Sequence, residues 1–404
     1  MADASSNPPL IPPRGAAAVR KASFSWRSKQ ARGIAYQILA VSIIAFLIWL
    51  LVSNTMANMK ARGIQSGFDF LWQPAGFDIG EEWLNYDSNN GYWKAFLVGL
   101  VNTLRVAVVG IFLTTILGTL LGVGRFSRNA LIRGICYTYV ECFRNIPVLL
   151  QLLMWYLLFA EHLPQVNQAL NVWNLFFLSK NGISYPIPVW QLGHTLALAG
   201  VALGALVSWF YAGQARKKFD LTGKFSPVLW VSIGLICGTA LVGWFIGGAP
   251  NEWNVPKLTE TQVENGGSFT PEYLAVLIGL TLYTSAFVAE VVRGGIASVS
   301  QGQHEASASL GLSRGHSMRL VVLPQALRVI IPPMTNQFLN LTKNSSLAVA
   351  VGYPDVVSIA NTSLNQTGRA VECIAIIMLI YLTTSLVTSG FMNWFNARAA
   401  IQER

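Results

Sequence analysis

Long apolar runs separated by shorter polar connections are the main pattern along this chain. Eight runs come close to or exceed the about 20 residues that a helix needs to cross a hydrocarbon core about 30 Å thick. They cover residues 36–54, 94–122, 134–160, 187–211, 227–247, 272–292, 336–353 and 371–394. The pattern therefore predicts an all-α membrane protein with about eight transmembrane helices.

The connections between these runs divide the chain into six parts. Residues 1–34 are basic and rich in Pro, Ala and Ser, which predicts a tail without regular structure. The first run begins too far from the N-terminus, and is too long, for a cleavable signal, so 35–93 is predicted to hold a retained anchor and an aromatic loop. The other parts are 94–160, an inserted helical hairpin at 161–271 with polar loops on both sides, 272–395, and a short tail at 396–404.

The aromatic loop in 35–93 reads GFDFLWQPAGFDIGEEWLNYDSNNGYW. Trp and Tyr at this density beside a span are typical of a segment that lies at the membrane surface. Contact with a partner outside the cell is the alternative interpretation of the same residues.

Charge orients the chain. Hydrophobic residues make up 53% and charged residues 11% of the sequence, against about 25% charged in soluble domains. With the N-terminus set inside, most of the 28 Lys and Arg residues lie on one side, and the positive-inside rule makes that side the cytoplasm. Both termini are therefore predicted to be cytoplasmic. The net charge of +10 reflects this topology, and we expect no binding to nucleic acid.

One predicted cytoplasmic connection, QHEASASLGLSRGHSMRLVVLPQA, has the pattern of a projecting elbow. Residues 301–310 can form a short helix with small side chains that let a partner approach closely. Gly311 can adopt the positive φ of a helix end, and Ser313 can cap the next helix. Three prolines, Pro324, Pro332 and Pro333, are predicted to break or kink the chain after that cap.

This connection resembles a known motif. Glu305-Ala306-Ser307, with Gly311 six residues after the Glu, is similar to the EAA loop of ABC importer permeases, although Ser307 stands where that family often has Ala. The flanking text resembles permeases of the polar amino acid uptake family, in particular the larger permease subunit of general L-amino-acid importers. The similar stretches include GLVNTLRVAVVGIFLTTILGTLLGVGRFS, YVECFRNIPVLLQ, SAFVAEVVRGGIASVSQGQHEAS, LPQALRVIIPPMTNQF and LTKNSSLAVAVG.

The resemblance covers about 99–159 and 272–395, and leaves the anchor and the hairpin outside it. It implies a type I importer core of about five helices in the bacterial inner membrane. It also implies that the elbow is a coupling helix that contacts an ATPase subunit through Gln303, His304, Glu305, Ala306, Ser307, Leu310 and Gly311.

The implied assembly contains several other chains. A second permease subunit, either a copy of this chain or, as the favoured case, a related one, would complete the path. Two ATPase subunits would bind ATP and Mg²⁺, and a periplasmic amino-acid-binding protein would deliver the amino acid substrate. The sequence agrees with this division of labour, because it contains no G-x-x-x-x-G-K-[ST] phosphate loop. The four histidines are scattered, and we expect neither an enzyme active site nor a metal or cofactor in this chain.

Ionisable residues inside predicted spans are costly unless they face protein or water. Glu141 and Arg144 stand three residues apart on one helix face, which favours a mutual ion pair, with a place on the transport path as the alternative. Glu290 and Arg293 repeat this spacing. Lone ionisable residues in or near spans are Arg105, Lys343 and Glu372.

Lys343 lies among amides and hydroxyls in the stretch NQFLNLTKNSSLA, which is unusual for a span. Such residues are tolerated where they line a cavity or pack against protein. We therefore predict a translocation path in which Lys343 receives the carboxylate of an amino acid; a gate or a subunit interface is the alternative role of Lys343. The predicted path residues are Asn336, Asn340, Lys343, Asn344, Ser345 and, less directly, Asn102.

Two other functions fit part of the pattern. A secondary amino acid carrier would work without an ATPase and has no need of the elbow. A membrane scaffold would have no use for polar residues in the 336–346 span.

Four glycines of the second predicted span lie close to one helix face. Gly118 and Gly122, with Gly110 and Gly99 near the same face, allow another helix to approach closely. Packing within the chain is favoured over a subunit interface as the reason for this pattern.

Overall fold

The structure, a computed structural model, describes residues 29–61, 63, 66–81, 83–223, 226–259 and 262–399. Most of the predicted basic tail at 1–34 and the end of the predicted tail at 396–404 lie outside these residues. The helices are α1 (Lys29–Ala61), α2 (Tyr92–Gly124), α3 (Ala130–Asn145), α4 (Val148–His162), α5 (Leu192–Thr222), α6 (Val228–Ile246), α7 (Pro271–Ala297), α8 (Gln301–Ser309), α9 (Arg314–Ser317), α10 (Leu323–Asn344), α11 (Val356–Thr367) and α12 (Ala370–Ala399).

Six of the described helices are long and apolar enough to cross a membrane, and two bent helix pairs raise the number of candidate spans to as many as eight. This agrees with the predicted all-α membrane fold of about eight spans. Among the described residues, those up to Ser66, which include α1, form one compact unit, and those from Gly67 onward form another.

The predicted run 134–160 is not one straight helix. It consists of α3 and α4, which meet at an angle of 105°. Pro147 causes the break, because it disfavours helical geometry at Ile146 and has no N–H to donate. Gln151 is buried, and its Nε2 donates to the carbonyls of Phe143 and Ile146 at 3.0 and 2.9 Å. This side chain therefore satisfies backbone acceptors that the break would otherwise leave unpaired.

The predicted run 336–353 also differs from a simple span. Helix α10 begins earlier, at Leu323, and is followed by a 3-10 turn at Ser345–Val351 and then by α11. Gly352 ends the turn with φ of 80°. Of the predicted break or kink, the break does not occur at Pro332 and Pro333, because both lie inside α10 and the helix continues past them.

Glycines bring α2 into close contact with its neighbours. A Cβ at Gly118 would lie 2.5 Å from Val288 Cγ1, and one at Gly122 would lie 2.7 Å from the carbonyl oxygen of Ala289. Both contacts are with α7, whereas Gly110 faces Leu341 and Gly99 faces the start of α11. The interpretation of these glycines as packing positions within the chain is confirmed.

The segment 67–91, here called the aromatic segment, folds onto one end of the helix bundle. Phe70, Ala75 and Ile79 are buried and pack with the start of α2 and with residues of α11 and α12. Trp72 and Trp83 remain exposed. Polar contacts add to this attachment, because Gly67 N–H donates to Glu372 Oε1 at 2.6 Å and Arg369 pairs with Asp69 at 3.1 Å. The segment is therefore a packed part of the protein, with some of its aromatic side chains at the surface.

The inserted hairpin consists of α5 and α6, which pack closely on each other. Gly200 and Gly204 face α6, and Thr239 Oγ1 donates to the carbonyl of Gly200 at 2.7 Å. The flanking stretches, predicted as loops, contain short strands: β1 (Leu170–Val172), β2 (Phe176–Ser179), β3 (Gly182–Tyr185), β4 (Ile187–Pro188), β5 (Trp253–Asn254), β6 (Lys257–Leu258), β7 (Val263–Glu264) and β8 (Gly267–Phe269). An antiparallel sheet in the order β1-β2-β3-β8 pairs Ile183 with Phe269, so it joins the two flanks immediately before α7.

Candidate functional site

The elbow predicted after α7 is formed by two short helices with a sharp turn between them. Helix α8 ends at Ser309, and Gly311 turns the chain with φ of 73°, a conformation that side-chain-bearing residues rarely adopt. Ser313 precedes α9, where its hydroxyl accepts from His316 N–H. A π-helical turn at Met318–Val322 then leads directly into α10. The short helix, the positive φ and the serine cap are all as predicted.

Most of the α8 surface is open to a partner. Glu305 and Ala306 are exposed, and so are Gln303 and Gly302 on the same short helix. Leu310, at the end of α8, leaves 79% of its surface exposed. The exposed surface at this end of the elbow therefore includes both polar and apolar side chains.

Two side-chain contacts connect α8 to later residues of the chain. Ser307 is the one buried residue of α8, and its Oγ lies 2.6 Å from Ser317 Oγ at the end of α9. Gln325 Nε2, in the first turn of α10, donates to Gln303 Oε1 at 3.1 Å. Helix α8 is thus attached through polar contacts to both α9 and α10.

Helix α10 has one polar and one apolar side. Asn336, Asn340 and Lys343, here called the polar face, are exposed, and their spacing of four and three residues places them on one side of the helix. The opposite side buries a row of apolar residues against α7 and its neighbours; these are Ile330, Ile331, Met334, Phe338 and Leu341. Three predicted path residues therefore share one accessible surface.

The two predicted path residues next to Lys343 are placed differently. Asn344 is half-buried at the end of α10. Ser345 is buried, and its hydroxyl donates to the carbonyl of Thr342 at 2.7 Å. The prediction that Ser345 lines an open path is wrong for this conformation, because the side chain points into the turn at the end of α10.

Asn102 is also absent from the polar face. Its side chain is fully buried, and Nδ2 donates to the carbonyls of Glu81 and Pro354 at 2.9 and 3.0 Å. Tyr353 hydroxyl donates to the carbonyl of Asn102 at 3.1 Å. Asn102 therefore connects α2 to the aromatic segment and to the chain before α11, and the prediction that it lines the cavity is wrong for this conformation.

Glu141 and Arg144 do not form the predicted ion pair in the described structure. Glu141 is half-buried, whereas the exposed Arg144 places its guanidinium 5.4 Å from the ring centre of Phe287. The cation–π contact with α7 draws Arg144 away from its neighbour, and both residues lie on α3, not on the polar face. The second predicted pair is present, because Arg293 Nε donates to Glu290 Oε1 at 3.0 Å, and Arg125 also contacts Glu290.

A buried ion pair between α2 and the aromatic segment was not predicted from the sequence. Arg105 contacts Glu81 of the aromatic segment, and its guanidinium lies 3.9 Å from the ring centre of Tyr273 and 4.4 Å from that of Trp83. Burial raises the pKa of Glu81, although hydrogen bonding from Thr270 and the charge of Arg105 act in the opposite direction. The sequence signal was an arginine inside a span; the signal for its partner was one acid among several in a loop.

Comparison with known proteins gives consistent results. Residues 222–401 match the family described as binding-protein-dependent transport system inner membrane component. The chain is 43% identical over 373 residues to the general L-amino acid transport system permease protein AapQ of Rhizobium johnstonii, with 92% of this chain and 93% of that protein covered.

Two other relatives match over nearly their full length. The putative amino-acid ABC transporter permease protein YhdX of Escherichia coli is 42% identical, with 95% of this chain and 98% of that protein covered. The glutamate/glutamine/aspartate/asparagine transport system permease protein BztB of Rhodobacter capsulatus is 38% identical, with 92% and 95% covered. The similarity extends through the anchor and the hairpin, which lie outside the motif-bearing stretches.

Proposed function

This chain belongs to the family of amino-acid ABC transporter permeases, and from that membership we propose that the polar face of α10 lines the path that amino acids take into the cell. The chain is a permease subunit and not an enzyme. Its relatives are named for general L-amino acids and for glutamate, glutamine, aspartate and asparagine. The proposed substrates are therefore amino acids, including those with polar or acidic side chains.

The observation that carries this proposal is the exposure of Asn336, Asn340 and Lys343 on a helix that forms part of a candidate span. An unpaired Lys near the bilayer centre costs about 2.5–3.5 kcal/mol by insertion scales. Facing lipid, these three residues would destabilise the protein; facing a water-filled path shared with a second permease subunit, they would remain solvated. The ammonium group of Lys343 would then be available to the carboxylate that every amino acid carries.

The elbow is the proposed contact between this chain and the ATPase subunits of the assembly. In the proposed arrangement both termini and the elbow face the cytoplasm, and the predicted coupling residues that are exposed on α8, Gln303, Glu305 and Ala306, contact an ATPase subunit together with Leu310. Two such subunits bind ATP and Mg²⁺, a related permease chain completes the path, and a periplasmic binding protein delivers the amino acid at the opposite face. Closure of the ATPase pair moves α8, and α10 moves with it because the two are joined through α9.

Transport by the reconstituted assembly tests the proposal. The chain is purified with its permease and ATPase partners, placed in proteoliposomes, and supplied with binding protein, labelled glutamate and ATP. We expect uptake that requires ATP, and Lys343→Ala should reduce it about tenfold or more, since a hydrogen bond to a charged group contributes about 1.5–3 kcal/mol.

Two control variants make this test specific. Lys343→Arg keeps the positive charge and should keep much of the uptake. Lys217→Ala removes an exposed lysine of the hairpin helix α5 and should leave uptake unchanged. Uptake without ATP would indicate a secondary carrier, and full activity of Lys343→Ala with several amino acids would remove Lys343 from the path.

A further inference from the structure

The two short helices of the elbow each bury one residue, and those two residues bind each other. Ser307 leaves 3% of its surface exposed and Ser317 leaves 9%. They are the buried residues of α8 and α9, respectively. Their hydroxyl oxygens lie 2.6 Å apart. This contact therefore joins the buried sides of the two helices.

The neighbouring contacts determine the direction of this hydrogen bond. Ser307 hydroxyl lies 2.8 Å from the carbonyl oxygen of His304 and donates its proton there. A hydroxyl has one proton to donate, so Ser317 must be the donor to Ser307 Oγ. The result is a chain of hydrogen bonds from α9, through Ser307, to the backbone of the middle of α8. In addition, Leu312 N–H donates to the carbonyl of Ser307 at 3.1 Å.

We propose that Ser307 and Ser317 are positioning residues for coupling: their buried hydrogen bond makes α8 and α9 move as one body, so that displacement of α8 reaches α10. This proposal rests on the proposed function. Without the bond, α8 would remain attached to α10 by Gln303–Gln325, a contact between an exposed and a half-buried side chain. It would remain attached to α9 by the backbone bond from Leu312 to Ser307 and by the turn at Gly311, whose backbone has no Cβ to restrict it. Part of each displacement would then be lost in bending between the helices.

The direction of the hydrogen bonds predicts unequal effects of two similar substitutions. Ser307→Ala leaves the buried Ser317 hydroxyl without its acceptor, whereas Ser317→Ala leaves Ser307 still bonded to His304. Because an unsatisfied buried group costs more than a missing hydrogen bond, Ser307→Ala should have the larger effect. Ser309→Ala is the matched control, since Ser309 is an exposed serine of the same helix whose hydroxyl bonds the carbonyl of Glu305.

The first test measures amino acid taken up per ATP hydrolysed in proteoliposomes that contain the full assembly. We expect Ser307→Ala to lower this ratio by about 2- to 10-fold, the range that loss of one net hydrogen bond gives, with little change in ATP hydrolysis. Ser317→Ala should lower it less, Ser309→Ala should not, and the double variant S307A/S317A should fall short of the product of the two single effects. An unchanged ratio in Ser307→Ala, or an equal loss in Ser309→Ala, overturns the proposal.

A second test uses one protein sample in two redox states. In S307C/S317C, made in a chain whose four native cysteines are replaced, oxidation should join the two side chains covalently. We expect the oxidised form to transport more substrate per ATP than the reduced form. Equal ratios, or arrest of transport on oxidation, would show that α8 and α9 do not have to move together.

A third measurement does not depend on transport. In the purified assembly, the amide of Leu312 should exchange with deuterium faster in Ser307→Ala than in Ser309→Ala. Its hydrogen bond to the backbone carbonyl of residue 307 breaks when α8 and α9 separate, and the Ser307–Ser317 bond opposes that separation. If the unaltered assembly shows no ATP-driven uptake, the proposed function fails. If it does, and exchange at Leu312 is the same in both variants, the hydroxyl pair does not join the helices and only the positioning role fails.

Discussion

Removing Glu81 should release the aromatic segment from the helix bundle. Side chains of Arg105 and Glu81 leave 7% and 5% of their surface exposed, so Glu81→Ala leaves a guanidinium buried without its counter-charge. Removing one partner of such a buried pair lowers the stability of the fold by about 3–5 kcal/mol. The rings of Tyr273 and Trp83 still contact Arg105 after the change, which retains part of its stabilisation and favours the lower end, about 3 kcal/mol.

Hydrogen exchange of the aromatic segment measures this loss directly. The amides of Ala75 and Gly76 donate to the carbonyls of Asn90 and Ser88 at 2.8 and 2.9 Å, so these bonds join the two halves of the aromatic segment and break when that segment opens. A loss of about 3 kcal/mol corresponds to exchange about 100-fold faster at these two amides when opening is local. The amide of Val276, inside α7, should change much less; equal acceleration there would indicate global unfolding.

Asp69→Ala is the matched control for this prediction. Asp69 belongs to the same segment and pairs with Arg369, but it leaves 62% of its side chain exposed. An exposed carboxylate contributes about 0–1 kcal/mol, so exchange should rise by no more than about fivefold. The double variant with Glu81 and Arg105 both replaced by Met should exchange more slowly than Glu81→Ala. Equal exchange in Glu81→Ala and Asp69→Ala would refute the reasoning.

The remaining predictions concern packing, backbone satisfaction and pH. A Cβ at Gly295 would lie 2.2 Å from Ile330 Cγ1, whereas one at Gly294 meets nothing within 4 Å; Gly295→Ala should destabilise by about 1–3 kcal/mol, and Gly294→Ala should stabilise by up to about 1 kcal/mol, both measured as unfolding midpoints in detergent. Gln151→Leu leaves two carbonyls at the α3–α4 bend unpaired and should cost about 1–3 kcal/mol in the same assay, with no loss expected if water replaces the amide. Because the folded state raises the pKa of Glu81 above 4.5, its stability contribution falls as pH rises from 4.5 through the raised value; Glu81→Gln should remove this part of the pH dependence of the unfolding midpoint, and an unchanged profile would contradict the assignment.

Several site features were predictable because they depend on a few consecutive residues. The positive φ of Gly311 and the cap at Ser313 arise from local backbone sterics and hydrogen bonding. The shared face of Asn336, Asn340 and Lys343 arises from helical periodicity alone. Their roles in coupling and transport remain predictions that the proposed transport experiments test.

Other features could not be predicted, because they depend on which helices meet. Arg144 had a partner of opposite charge three residues away, yet Phe287 of α7 is the group it contacts. Asn102 was predicted to line the path inside a span, but it is fully buried, and its amide donates to the carbonyls of Glu81 in the aromatic segment and of Pro354 before α11. In both cases the residue contacts a group that is distant in sequence, and only the fold places that group within reach.

Several membrane crossings, an elbow after α7 and motifs shared with a family of permeases were all predictable from the residues alone, because apolar length, turn chemistry and motif spacing are local properties. The 105° bend within 134–160, the pairing of Arg105 with Glu81 and the contact between Ser307 and Ser317 depend on the folded arrangement. These outcomes require side chains from separate segments to be buried together. Burial changes the free energy of an unpaired charge or hydroxyl by several kcal/mol, and no local pattern of residues specifies which partner will be present.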